Sequence, residues 1–192
     1  MIHQLSTKTA KNRYPQIFAA LASALPDQAA ILSFGCSTGE ELDSLREACG
    51  TPHVYGCEIN SHCLNILLAK NPAGMIIPGK ELESSIIKFD CITALSVLCR
   101  WPQAKGKKDI SRIYSYEWFD SAVTILDSKL KNGGLLAIYN SNYRMMDASV
   151  YCKYVAVDLP DIDSAGEMEH FCKKGHPCKE KYSEVVFMKV KD

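Results

Sequence analysis

The chain has 192 residues, of which 47% are hydrophobic and 23% are charged, as expected for a globular protein with one sizeable core. Lysine plus arginine equals aspartate plus glutamate, at 22 each, which argues against nucleic acid as a partner bound through phosphate neutralisation. No apolar run is long enough to span a bilayer, and the first residues contain no signal-peptide core. We therefore expect a cytoplasmic protein without a membrane partner, whose nine cysteines are reduced.

The first 27 residues predict a helical segment that precedes the first strand. Pro15 is suited to the first turn of a helix, and the apolar residues that follow it predict a helix covering a sheet. Alternatively, the residues Asn12, Arg13 and Tyr14 fold back as a lid over a ligand. The sequence leaves the lid open as a second role for this segment.

From residue 28 onwards, short β-rich runs alternate with longer helical runs. In chain order these are the strand AAILSF, the helix TGEELDSLREACG starting near Thr38, the strand HVYGCEI, the helix SHCLNILLAKNP capped by Ser61, and the short strand AGMIIPG. They continue with the strand KFDCITALSVL, the helix DISRIYSYEWFDSAVTILDSKL stopped by KNGG, the strand LLAIYN, and the closing strands KYVAVDL and SEVVFMKV.

Alternating strands and helices with short connections predict an α/β fold. We expect a doubly wound, mostly parallel sheet with helices on both faces, whose strand-to-helix turns meet at one carboxyl edge where such sheets bind ligands. We expect one domain over residues 1–192. Its parts are the N-terminal segment 1–27, a ligand-binding core at 28–144, and closing strands with an irregular loop at 145–192.

The turn after the first strand lacks the two common nucleotide-binding patterns. A dinucleotide turn of the form GxGxxG would put its glycines at Ser33, Gly35 and Thr38, and only one of these is glycine. A triphosphate loop would need a lysine after Gly39, and none follows. The glycine spacing therefore argues against a nicotinamide-dependent oxidoreductase and against a triphosphate-binding enzyme.

The string ILSFGCSTGEE resembles motif I of the class I S-adenosylmethionine-dependent methyltransferases. Gly35 and Gly39 match its first and last glycines, while Ser33 and Ser37 stand where the motif has an acid and its middle glycine. The shorter string GCSTGEE looks most like the chemotaxis-receptor methyltransferase branch. YGCEINSHCLNIL, FDCITALSVLCRW and LKNGGLLAIYNSNYR resemble later motifs of the superfamily in the expected order. The resemblance implies a seven-stranded Rossmann-like sheet whose last strand is antiparallel.

The resemblance implies that S-adenosylmethionine is the cofactor. Glu58, at the end of the second strand, would accept hydrogen bonds from the ribose hydroxyls, Ile59 would pack beside the adenine, and Ser96 would line the methionine end. The acid expected after the third strand is open between Glu81 and Glu83. The predicted cofactor-binding residues are Phe34, Gly35, Cys36, Gly39, Glu58, Ile59 and Ser96.

The methyl acceptor is less well specified than the cofactor. The resemblance implies a methyltransferase of class EC 2.1.1, and we expect a small-molecule acceptor without assigning a catalytic base. The alternatives are a protein glutamate carboxylate as acceptor, and a non-catalytic binding or scaffold domain, which Ser33 and Ser37 favour as signs of an eroded motif. The candidate substrate residues are Tyr14, Arg100, Trp101, Asn140 and Tyr143.

Three possible zinc ligands lie close together near the C-terminus. Cys172, His176 and Cys178 form this group, and His170 or Cys152 could supply a fourth ligand. The CxxC spacing usual in structural zinc sites is missing. We therefore predict a flexible loop with free thiols and no metal site.

Overall fold

The computed structural model of the chain describes residues 2–71, 74–158, 162, 164–180 and 182–192. The elements are, in chain order, α1 (Pro15–Ala24), β1 (Ile31–Phe34), α2 (Glu40–Cys49), β2 (Val54–Glu58), α3 (Ser61–Lys70), β3 (Ile76–Pro78), β4 (Phe89–Leu95), α4 (Tyr116–Lys129), β5 (Leu130–Tyr139), two 3₁₀ turns (Met145–Asp147 and Tyr151–Lys153), β6 (Tyr154–Val157) and β7 (Val186–Lys189). Pro72, Ala73 and Leu159, which the predicted elements included, lie outside the described residues. No helix in the described part of the chain is long and apolar enough to cross a membrane.

The seven strands form one sheet in the order β3-β2-β1-β4-β5-β7-β6. The strands from β3 to β5 are parallel, and β7 runs antiparallel to both β5 and β6. The predicted α/β fold, including the antiparallel last strand, is confirmed. The strand order reverses between β1 and β4, and ligands bind at the carboxyl ends of strands beside such a reversal.

Successive residues of β1 point to opposite faces of the sheet, and each face has its own core. Ile31 packs with Phe18 and Leu45 on the face covered by α1, α2 and α3, and Leu32 packs with Phe119 on the face covered by α4. Both residues are fully buried. A strand buried on both faces reads as a continuous apolar run, which is why AAILSF was recognisable in the sequence.

Three predicted helix boundaries are corrected. Helix α2 begins at Glu40 rather than near Thr38, because Gly39 has a left-handed φ of 100° and ends the preceding loop. The cap of α3 is Asn60, whose side chain accepts hydrogen bonds from the first turn, and Ser61 is the first helical residue. Helix α4 begins at Tyr116, seven residues after the predicted start at Asp109, since the preceding residues form turns.

The string KNGG does not form a separate turn between helix and strand. Helix α4 ends at Lys129 and β5 begins at Leu130, so KNGG lies in the first part of the strand. Leu130 pairs with Phe89, and the register then shifts before Leu135 pairs with Cys91. The glycines thus accommodate an irregularity in the ladder rather than a loop.

A buried charge cluster joins α4 to the closing strands. Asp127 of α4, only 4% exposed, receives Lys153 Nζ at 2.8 Å, Lys189 Nζ at 3.1 Å and the Tyr154 hydroxyl at 2.9 Å. Burial alone would raise the pKa of Asp127, but the bonds from Lys153, Tyr154 and Lys189 outweigh burial and hold the pKa below its usual value. Lys189 is itself buried, so each charge depends on the other.

We expect Asp127→Ala to lower the free energy of unfolding by about 3–5 kcal/mol, because the buried Lys189 ammonium keeps only the exposed carboxylate of Asp192 and the Tyr154 hydroxyl loses its acceptor. Urea denaturation measures this loss. Asp43→Ala is the matched control, since Asp43 pairs with Arg46 at an exposed position and its loss should change stability by about 0–1 kcal/mol. Equal losses in the two variants would contradict the structural role of the cluster.

Candidate functional site

A cavity of about 360 Å³ opens at the carboxyl edge of the sheet, where β1, β2 and β4 end. This volume falls in the range of roughly 300–1,000 Å³ typical of small-molecule sites. Six of the seven residues predicted to bind a cofactor line this cavity, and Gly39 is the exception. The six are Phe34, Gly35, Cys36, Glu58, Ile59 and Ser96, and the predicted substrate residue Tyr14 lines the same cavity.

The loop between β1 and α2 comes so close to the end of β4 that its first residue has no room for a side chain. Gly35 has a φ of 76°, and a Cβ added to it would lie 2.3 Å from Val97 Cγ2. The Gly35 amide donates to the Cys57 carbonyl at 2.8 Å, which ties the loop to β2. Gly39 is needed at the other end of the loop, where a Cβ would lie 2.8 Å from Leu67 Cδ2.

Ser37 occupies a left-handed conformation in the same loop, with a φ of 52°. Its position is the one where the motif resemblance expects a glycine, which adopts such angles without strain. The Ser37 amide donates to Glu58 Oε2 at 2.8 Å, and its hydroxyl donates to the Thr7 carbonyl at 2.7 Å. These bonds hold the conformation that a glycine would reach freely.

The carboxylate of Glu58 is held by the backbone at the end of β2. Its Oε1 accepts from the amides of Ile59 and Asn60, both at 2.7 Å, and its Oε2 accepts from Ser37. A carboxylate has about four acceptor positions, so about one remains, on Oε2. Glu58 therefore fixes the loop and presents one acceptor position at the cavity that it lines.

A second carboxylate, Glu41, lines the cavity from the first turn of α2. The hydroxyls of Ser33 and Thr93 donate to its Oε1 at 2.8 Å and 2.7 Å. Burial raises the pKa of Glu41, and these two hydrogen bonds only partly offset that effect. Sequence reasoning missed Glu41. The available signal was that the motif's acid is replaced by Ser33 while an acid, Glu41, follows eight residues later. The structure joins the two by a hydrogen bond.

The residues Ile2–Ala10 line the cavity and run across it, and we call this segment the strap. His3 Nδ1 lies 2.9 Å from the Tyr114 hydroxyl, Gln4 Nε2 donates to Cys99 Sγ at 3.1 Å, and Thr7 accepts from Ser37. Burial, with a smaller effect of nearby positive charge, lowers the pKa of His3 to about 4. The strap is thus held by a neutral imidazole at neutral pH.

The helix that follows the strap behaves as the sequence predicted. In α1, Ile17, Phe18 and Leu21 are buried against the sheet. Arg13 and Tyr14, which the alternative placed in a lid, line the cavity beside the strap. The N-terminal segment therefore both covers the sheet and forms one wall of the cavity.

A hydrogen-bonded junction joins the ends of β4 and β5. Ser96 Oγ accepts from the Tyr14 hydroxyl at 2.7 Å and from Asn140 Nδ2 at 2.8 Å. Ser96 and Asn140 both adopt left-handed angles, with φ of 57° and 54°. Such strain in residues other than glycine is concentrated at ligand sites.

Two of the predicted substrate residues, Tyr143 and Arg100, line neither the first cavity nor a second one nearby. Tyr143 is 1% exposed, and its hydroxyl donates to the Tyr114 carbonyl at 2.6 Å within an aromatic core. Arg100 is also buried, with Nη2 donating to the Ile2 carbonyl at 2.7 Å beneath the strap. Trp101 and Asn140 instead line a second cavity, together with Arg13.

Of the two acids left open after the third strand, Glu83 lines the first cavity and Glu81 does not.

Near the C-terminus, Cys172, His176 and Cys178 lie on a short hairpin-like turn whose two sides are joined by a backbone bond from the Cys172 amide to the His176 carbonyl at 2.8 Å. Among the residues that the structure describes, no three His, Cys, Asp or Glu side chains are arranged to hold a metal ion. All nine cysteines are free thiols.

We expect Gly35→Ala to lower the free energy of unfolding by about 2–5 kcal/mol, combining the strain of a left-handed alanine with overpacking against Val97. Gly133→Ala is the matched control. Its φ of 78° is nearly identical, but nothing lies within 4 Å of the added Cβ, so only about 1–2 kcal/mol should be lost. Urea denaturation of both variants measures the difference, and equal losses would exclude the Val97 contact as a constraint.

Comparison with known proteins supplies the family. Among solved structures that share its fold, the chain resembles CalS10, an amino pentose methyltransferase from Micromonospora echinaspora solved with SAM bound, at 23% identity and a TM-score of 0.50; the match covers 68% of this chain and 50% of CalS10. It also resembles NSun6 from Pyrococcus horikoshii, solved with SFG, at 11% identity and a TM-score of 0.60; the match covers 93% of this chain and 52% of NSun6. The chain thus spans about half the length of these relatives. A comparison with curated proteins found no match. A family model described as a methyltransferase domain matches residues 3–178, and the chain belongs to this family.

Proposed function

We propose that the chain binds S-adenosylmethionine in the first cavity and transfers its methyl group to a small molecule. The observation that carries the proposal is the pairing, in one cavity, of Gly35, which has no room for a side chain, with the carboxylate of Glu58 at the end of the next strand. This pairing suits a nucleoside whose ribose lies against the loop backbone. When bound, S-adenosylmethionine supplies a methyl group activated by its positively charged sulfur.

Glu58 is proposed to hold the ribose. One ribose hydroxyl can donate to the acceptor position that remains on Oε2, while the Ser37 amide keeps its bond to the same oxygen. Ile59 lies beside the backbone of Gly79, where an added Cβ would be only 2.9 Å from Ile59 Cβ. We propose that this close packing holds Ile59 as an apolar surface for the adenine.

Glu41 is proposed to hold the ammonium group of the methionine portion. It is a half-buried carboxylate that lines the cavity, and the hydrogen bonds from Ser33 and Thr93 fix its orientation. A cationic ligand group is the natural partner of such a carboxylate, since burial strengthens the attraction between opposite charges. Glu41, which lies on α2, would thus replace the acid that the motif has at the position of Ser33.

Tyr14 is proposed to position the reacting groups rather than to act as a base. Burial raises the pKa of Tyr14, so its phenol stays protonated at neutral pH and donates to Ser96. Methyl transfer from a sulfonium depends mainly on holding donor and acceptor in line, and the junction of Tyr14, Ser96 and Asn140 is rigid enough for that role.

Two alternatives receive less support. A scaffold protein with an eroded motif would be expected to fill the cavity with side chains, whereas about 360 Å³ is open. A protein carboxylate as acceptor is favoured only by the string GCSTGEE, and the second cavity, of about 320 Å³, has the size of a small-molecule site.

We also propose that residues 1–192 form one domain, because the strap lines the cavity of the core and β6 and β7 complete its sheet.

Calorimetric titration with S-adenosylmethionine and S-adenosylhomocysteine tests the proposed cofactor. We expect micromolar binding by the wild-type chain and a loss of about 10- to 100-fold in Glu58→Ala, the contribution of a hydrogen bond to a charged group. Glu117→Ala is the control, since Glu117 is exposed on α4 outside the cavity. Thermal unfolding checks that each variant is folded, and a folded wild-type chain that binds neither compound would refute the proposal.

The pH dependence of S-adenosylhomocysteine binding tests Glu41. The ligand ammonium keeps its charge in acid, whereas Glu41 loses its charge as the pH falls through its raised pKa. We therefore expect the affinity for S-adenosylhomocysteine to fall as the pH is lowered. The fall should begin at a pH above 4.5, the ordinary pKa of a glutamate, because the pKa of Glu41 is raised. Glu41→Gln should bind more weakly at neutral pH and lack this dependence, while Glu117→Gln should keep the wild-type profile. An unchanged profile in Glu41→Gln would exclude the assigned role.

A further inference from the structure

The second cavity, of about 320 Å³, lies beyond the ends of β4 and β5 and adjoins the first. Arg13 lines both cavities, so the two share a wall at the N-terminal side. Ser96 lines the first cavity and Asn140 lines the second. These two side chains are joined by the 2.8 Å hydrogen bond from Asn140 Nδ2 to Ser96 Oγ. Ligands in the two cavities would be separated at this point by little more than one side-chain contact.

The wall of the second cavity is built by close backbone contacts. Gly166 approaches Asn140 so closely that an added Cβ would lie 2.1 Å from Asn140 Oδ1. The Asn140 amide donates to the Ala165 carbonyl at 2.9 Å, and Asn140 Oδ1 accepts from the Glu167 amide at 2.8 Å. The left-handed angle of Asn140 is therefore held from two sides, which fixes the amide at the boundary with Ser96.

The side-chain amide of Asn142, which also lines the second cavity, joins two further segments of its wall. Asn142 Oδ1 accepts from the Arg100 amide at 2.8 Å, and its Nδ2 donates to the Glu169 carbonyl at 3.0 Å. Glu169 Oε2 in turn accepts from the Gly106 amide at 2.9 Å, joining the two segments that face each other across the cavity. The site is thus preformed rather than dependent on a ligand to assemble it.

The chemistry of the lining points to a class of ligand. Trp101 is 37% exposed, and Lys105 Nζ lies 5.0 Å from the centre of its ring, so a ligand ring can pack on the part of the indole that Lys105 leaves uncovered. The charged residues of the lining balance, with Arg13 and Lys105 opposing Glu167 and Glu169. A site for a phosphorylated ligand would need an excess of positive charge, which this lining lacks. Carboxylates beside an aromatic surface favour hydroxyl and amino groups, which donate hydrogen bonds.

We propose that the second cavity binds the methyl acceptor, and that this acceptor is a small, non-phosphorylated ring compound carrying hydroxyl or amino groups. The proposal rests on the proposed function, since it assigns the cofactor to the first cavity. The junction of Tyr14, Ser96 and Asn140 would then separate acceptor from cofactor. Trp101 would set the preference for a ring, and the balanced charges would exclude phosphate esters.

Ligand-observed NMR with the full chain tests this assignment, using matched probes with and without a phosphate: glucosamine and glucosamine 6-phosphate, and glucose and glucose 6-phosphate. We expect the unphosphorylated member of each pair to bind more tightly. Trp101→Ala should weaken that binding by about two- to tenfold, as expected for the loss of ring packing. Trp118→Phe is the control, because Trp118 is the other tryptophan of the chain and lines neither cavity.

Calorimetry with S-adenosylhomocysteine on the same variants separates this proposal from the proposed function. Trp101→Ala should keep its affinity for S-adenosylhomocysteine, because Trp101 does not line the first cavity. If the wild-type chain fails to bind S-adenosylhomocysteine while the probes still bind through Trp101, the cofactor assignment fails and the ring-binding site stands. Tighter binding of the phosphorylated probes, binding unaffected by Trp101→Ala, or no binding of any probe would each overturn the proposed acceptor site.

Discussion

The close approach of Gly35 to Val97 is the constraint on which the cavity depends. The two residues follow β1 and β4, the pair of strands between which the order of the sheet reverses, and a side chain at Gly35 would push these ends apart. The Gly35 amide bonds to Cys57 at the end of β2, so one residue gathers three strand ends. Because the loop after β1 packs closely against these strand ends, the first cavity beside it stays open.

Two carboxylates, the buried Glu58 and the half-buried Glu41, line the first cavity and are held by different means. Glu58 is bound by three backbone amides, which tie it to the loop. Glu41 is bound by two hydroxyls on one oxygen, and burial raises its pKa. The first carboxylate is therefore mainly a structural anchor with one acceptor position to spare, while the second responds to the charge of whatever enters the cavity.

Two residues with strained backbone angles lie where the two cavities meet. Ser96 and Asn140 adopt left-handed angles, and hydrogen bonds and the close approach of Gly166 hold them there. Strain of this kind persists only when the surroundings overdetermine the conformation. The proposed boundary between methyl donor and acceptor would benefit from that rigidity, since small displacements of reacting atoms lower the rate strongly.

The sequence by itself determined the order of elements, the mostly parallel sheet and the edge at which the first cavity lies, because apolar periodicity and glycine positions are local signals. The resemblance of short local motifs was enough to single out Gly35 and Glu58, which line the first cavity. Tertiary structure decided the rest. Glu41 reaches Ser33 and Thr93 from a different element, and the strap is held by contacts to distant residues such as Tyr114. The adjacent residues Arg100 and Trp101 face different surroundings, with Arg100 under the strap and Trp101 in the second cavity, since side-chain direction in an irregular segment follows from contacts between residues far apart in the chain.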